Sequence, residues 1–98
     1  MSEKSKIILT PRVYVDRDGD KYMLEIELPG VKKKDVNLEV SESTFCIEGE
    51  RDDVGYYSCY TFGQPVNSEM VEAKFSDGLL TVEVPLAHSM TRKKIEVK

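Results

Sequence analysis

The sequence predicts an all-β chain folded as an antiparallel sandwich, on three observations. Short stretches alternate apolar and polar residues with a period of two, the repeat of a half-buried strand. Turn chemistry separates them, at Asp77-Gly78, Pro29-Gly30, Asp52-Asp53 and the run Asp16-Arg17-Asp18-Gly19-Asp20. No stretch sustains the apolar period of a helix.

Residues 1–11 read as a short arm, polar at first and then carrying Ile7-Ile8-Leu9 before Thr10-Pro11. Nothing in its pattern forces it to be ordered. Residues 12–16 alternate through Val13 and Val15 and fit a short edge strand, with residues 16–20 as the turn that follows. Residues 21–28 give the cleanest alternation: Tyr22, Leu24, Ile26 and Leu28 share one face, with Lys21, Met23, Glu25 and Glu27 on the other. Pro29-Gly30 ends that strand. The run Val31-Lys32-Lys33-Lys34-Asp35 is too short and too charged for a helix and fits a loop with at most one helical turn.

Residues 36–40 alternate again, and Ser41-Glu42-Ser43 connects them to a strand over residues 44–51 that sets Phe45 and Ile47 opposite Cys46 and Glu48. A short turn over residues 52–55 leads to the aromatic, hydroxylated strand of residues 56–62. After a loop, residues 70–75 form a strand with Val71, Ala73 and Phe75 aligned. Ser76-Asp77-Gly78 turns into the strongest strand of the chain, where Leu80, Val82 and Val84 make one apolar face. Pro85 cannot donate to a ladder, so pairing is expected to lapse there. Residues 87–94 read as a polar, basic tether before Ile95-Glu96-Val97-Lys98.

The chain has 98 residues, the size of one domain, and a net charge of -4 without a basic stripe. That balance argues against nucleic acid or an anionic membrane surface as partner. Three apolar residues, Ile7 to Leu9, fall far short of a signal core or membrane span, and the reading is a cytoplasmic protein. Two cysteines make no disulfide framework and lack zinc-ligand partners, so free thiols are expected. With Asp52 and Asp53 as the two central turn residues, Arg51 pairs with Val54 and Cys46 falls opposite Cys59. A different turn moves them out of register.

Reactive chemistry finds no footing. His88, the one histidine, lies in the tether, and neither cysteine has an activating base in the pattern. Asp16, Asp18 and Asp20 place Gly19 too early for a calcium loop, with no glutamate at the bidentate position. Lys32-Lys33-Lys34 reads as a solvated loop. The expectation is no enzyme, no catalytic residue, no cofactor and no metal.

Three segments, in order, resemble the α-crystallin domain of small heat-shock proteins: Leu28-Pro29-Gly30-Val31-Lys32-Lys33-Lys34-Asp35-Val36, Phe45-Cys46-Ile47-Glu48-Gly49-Glu50-Arg51, and residues 73–85 around Asp77-Gly78-Leu79-Leu80. The resemblance implies an immunoglobulin-like β-sandwich over residues 12–86, flanked by the arm (1–11) and the tether with its tail (87–98). It implies an ATP-independent holdase for unfolded client proteins, able to form a dimer or larger homo-oligomer. The family's layout puts Val36, Leu38 and Val40, and Val71, Ala73 and Phe75, on edge strands that wall an apolar groove for client or tail. Ile95 and Val97 are similar to the family's Ile-x-Val tail, whose knobs fall on one side when extended. Tyr56, Tyr57 and Tyr60 are read as exposed and as a possible dimer edge. Three departures stand out: the short turn at residues 52–54, no arginine among residues 56–62, and a short arm. The rival reading is an adaptor, similar to the co-chaperone sandwiches of the p-twenty-three type, that binds one folded partner.

Overall fold

A computed structural model describes residues 7–87 and 95–98. Eight strands are formed: β1 (Ile7–Leu9), β2 (Arg12–Asp18), β3 (Lys21–Glu27), β4 (Val36–Val40), β5 (Thr44–Arg51), β6 (Val54–Thr61), β7 (Glu72–Ser76) and β8 (Leu79–Pro85). They make two four-stranded sheets, in the orders β1-β6-β5-β4 and β2-β3-β8-β7. Every pairing is antiparallel except that of β1 with β6, which is parallel. The sandwich expected from the alternation is therefore the fold.

Three hairpins turn on two residues each. Gly19-Asp20 joins Asp18 to Lys21, Asp52-Asp53 joins Arg51 to Val54, and Asp77-Gly78 joins Ser76 to Leu79. Asp77 and Gly78 both take positive φ, 48° and 80°, as a type I′ turn requires of its central pair. Several expected boundaries shift because ladders run up to these tight turns. β2 continues through Asp16 and Arg17 to Asp18, and β6 starts at Val54 rather than at Tyr56. Met70 sits in a 3-10 turn, so β7 begins at Glu72, and the charged run after Pro29-Gly30 makes one 3-10 turn over Lys33–Asp35. Pro85 remains opposite Lys21 as the last residue of its ladder, with only a Val66 to Leu86 bridge beyond.

The core lies between the sheets. Leu24 and Ile26 of β3 and Leu80, Val82 and Val84 of β8 meet Phe45 and Ile47 of β5 and Val54 and Tyr56 of β6. Each side chain so buried contributes roughly 1.5–3 kcal/mol against exposure. Leu28 and Val31 lie in the same core, as do Phe62, Val66 and Leu86, and Phe45 stacks on Tyr60 with ring centres 5.1 Å apart.

The three segments that carry the family resemblance converge in space. Arg51 donates from Nε to the carbonyl of Pro29 at 2.8 Å, and Gly30, at φ 82°, leaves room for that side chain where any Cβ would collide with it. Leu28 donates its N–H to the carbonyl of Gly78 at 2.7 Å. A Cβ on Gly78 would lie 3.2 Å from the Cα of Pro29. Both glycines are thus favoured by φ, and close approach adds to the preference.

The arm is where the pattern revealed least. Ile7, Ile8 and Leu9 pair with Val54, Gly55 and Tyr56, and Ile7 donates its N–H to the carbonyl of Asp53 at 2.8 Å. The free edge of β6 supplies backbone partners that no local pattern announces. Gly55, without a side chain, makes room for Ile8 above it.

Candidate functional site

The chain passes from β1 to β2 through Thr10-Pro11 alone, so those two edge strands lie at one margin of the sandwich. The other two edge strands, β4 and β7, consequently form the opposite margin. On β4 the core-facing positions are Val36, Leu38 and Val40, opposite Gly49, Ile47 and Phe45. These three partners on β5 are buried, whereas Val36, Leu38 and Val40 are only half-buried. On β7, Ala73 and Phe75 stand opposite the buried Val82 and Leu80. Phe75 is half-buried, Val71 just before the strand is half-buried, and Ala73 is exposed although it faces the core side. The fold brings all six residues to one margin and leaves it partly uncovered.

A depression of about 450 Å³ opens on the outer face of β7 and β8, away from the core side, lined by Glu72, Ala73, Lys74, Thr81 and Glu83. Glu72 stands directly opposite Glu83, a like-charge pair that is unfavourable across a ladder. Lys21 relieves one of them, with Nζ 3.4 Å from Glu83 Oε1. That outer lining is polar and charged, while Ala73 of the same strand is exposed toward the core side, with the open backbone edge of β7 between the two faces. Such an edge accepts an extended segment by strand addition. The tail residues Ile95 and Val97 are 70% and 90% exposed.

Two expectations are corrected here. Cys46 and Cys59 are joined in a disulfide, Cα to Cα 4.1 Å, and are not free thiols. The two-residue turn at Asp52-Asp53 puts them directly opposite each other, on the outer face of the sheet. Of the tyrosines read as exposed, Tyr56 is buried at 6% and Tyr60 is half-buried on Phe45, because both share the core-facing side of β6 with Val54. Tyr57 alone of the three is exposed, and β1 occupies the edge of β6. Asp16 and Asp18 lie within β2, beside a two-residue hairpin turn. Lys32, Lys33 and Lys34 are exposed, and His88 lies outside the described residues. Among the described residues no helix is long and apolar enough to cross a membrane.

Comparison with known proteins identifies the sandwich. A match to the Hsp20/alpha crystallin family spans residues 14–98. The chain belongs to that family. Heat shock protein 16 of Schizosaccharomyces pombe is 30% identical to it, over 92% of this chain and 76% of the relative. The solved structure of heat shock protein 16.0 from the same yeast superposes with a TM-score of 0.73 at the same coverage. Small heat shock protein C2 of Rickettsia felis is 26% identical, over 92% of this chain and 69% of the relative. A small heat-shock protein structure from Xylella fastidiosa, 19% identical, covers 90% of this chain and 95% of its own with a TM-score of 0.70, and shows the shared fold. As a member of the small heat-shock family, the chain falls among chaperones, which are generally not enzymes.

Proposed function

We propose that this small heat-shock protein is an ATP-independent holdase whose working surface is the β4/β7 groove. The observation that carries the reading is Ala73: it faces the core side opposite fully buried Val82, yet it is exposed. Val36, Leu38, Val40, Val71 and Phe75 give that opening apolar walls packed on the core. An unfolded client presents what such a slot accepts, an extended backbone with alternate apolar side chains. The same slot takes Ile95 and Val97 from the tail of a neighbouring copy. Burying two such side chains contributes roughly 3–6 kcal/mol gross before ordering costs, weak enough for tails and clients to exchange. Residues 12–86 act as the body of the sandwich, with β1 of the arm added at its edge, and residues 87–98 as tether and tail, in a homo-oligomer. The working compartment is the cytoplasm, with neither nucleic acid nor membrane as target.

The test has two arms. Light scattering of heated, unrelated clients is expected to be suppressed at near-stoichiometric ratios, and Leu38→Glu or Val71→Glu to abolish suppression with the fold intact. Removal of residues 93–98 is expected to reduce the mass of the assembly in size-exclusion chromatography with light scattering. Retention of one folded partner without any suppression would instead support the adaptor reading, and an unchanged mass would remove the tail as an assembly contact.

A further inference from the structure

Resting on the groove reading above, we infer that the tail of a second copy is selected by a charge pattern on β7, with Lys74 and Glu72 as the specificity-determining residues. Alternation puts Ala73 and Phe75 on the core side of β7 and Glu72 and Lys74 on its outer face, both exposed. The tail carries the complementary series Lys94, Ile95, Glu96, Val97, Lys98. When it is extended with Ile95 and Val97 turned into the groove, Lys94, Glu96 and Lys98 face outward, beside Glu72 and Lys74.

The match holds in either strand direction. Parallel to β7, Ile95 lies by Ala73 and Val97 by Phe75, which sets Glu96 beside Lys74 and Lys94 beside Glu72. Antiparallel, Ile95 lies by Phe75 and Val97 by Ala73; Glu96 is again beside Lys74, and Lys98 is now beside Glu72. The opposite wall matches the lysines alone. Laid along Val36 and Leu38, the tail would set its lysines beside Asp35 and Glu39 but leave Glu96 beside the uncharged Asn37, and along Leu38 and Val40 it would put Glu96 beside Glu39. Glu96 finds a cation only on β7, and the tail is assigned to that strand on this pair.

Two further features fit this occupant. Glu72 faces Glu83 across the ladder, and among the described residues Lys21 bridges Glu83 and not Glu72, so a tail lysine meets a carboxylate that faces a like charge. Ile95 and Val97 are exposed on their own chain, so the tail is free to serve a neighbour. Opposite charges across adjacent strands tune affinity without dominating it. Own tails are favoured over apolar segments of other charge, and salt weakens the preference.

The experiment is a swap read by fluorescence anisotropy, with a labelled peptide of residues 91–98 titrated with the full chain. Lys74→Glu in the chain is expected to weaken the native peptide about fivefold, and Glu96→Lys in the peptide to weaken binding to the native chain by a similar factor. The two changes together are expected to recover affinity. Independent, additive losses, or no loss from the peptide change, would overturn the charge pattern. The peptide change alone decides the matter should the Lys74→Glu chain fail to fold, as checked by circular dichroism. Ala73→Glu separates the two levels of the reading: if it abolishes binding while the swap is silent, the groove stands and the charge pattern falls. Absence of binding by the native peptide to millimolar concentration would overturn both.

Discussion

The two margins of the sandwich are built from similar residues and behave differently. At the β1/β2 margin the chain itself crosses between the sheets through Thr10 and Pro11, with Pro11 buried, and Tyr56 beneath it is buried. A hollow of about 240 Å³ remains there, lined by Leu9, Thr10, Pro11, Arg12, Glu27, Pro29 and Tyr56. At the β4/β7 margin no described segment joins the two strands directly; core-facing side chains of both pairs of edge strands are partly or fully exposed, and what sets the β1/β2 margin apart is the buried connection that closes it. Apolar content does not explain the difference, since both margins carry valines and aromatics. Coverage by the chain does. Val15, on the core side of β2 but beyond the reach of three-residue β1, is 53% exposed.

The comparison can be broken in several ways. The largest expected effect is on Tyr56: Tyr56→Ala should cost about 3–5 kcal/mol in urea unfolding, while Phe75→Ala at the open margin costs about 1–2 kcal/mol. Equal losses would mean that both margins are core. Next comes the bridge between Cys46 and Cys59, which closes a loop of sequence separation 13. Replacing both cysteines by serine is expected to remove about 2–3 kcal/mol, and an unchanged melting temperature would show that the hairpin holds its register unaided. The smallest effect on stability, about 1 kcal/mol or less, is expected from deleting residues 1–9, because Ile7, Ile8 and Leu9 bury little. That deletion bares the edge of β6, and the measured mass should rise through edge pairing. An unchanged mass would show that β1 is no cover.

Much of this architecture was legible because its signals are local. Period-two alternation named the core face of β3 and β8, and Asp77-Gly78 fixed the hairpin that joins β7 to β8. Residues of the open margin were legible only through family resemblance, since half-buried valines on an edge strand read the same as those on a central one. Three features escaped for physical reasons. Ile7-Ile8-Leu9 has no alternation, and its pairing with β6 is a long-range contact. Tyr56 lies in a strand with aromatics on both faces, so periodicity could not say which face was inside. The cysteine pair was in view only if the turn took two residues, and composition argued for reduced thiols. The structure supplies the turn, and the bond follows from the register.

The turn between β5 and β6 has one more consequence. With two residues, Asp52 and Asp53, it has no slack to lend a strand to a neighbour. Exchange of a strand at this point would have to open the β5-β6 hairpin itself, whose register also holds Cys46 opposite Cys59.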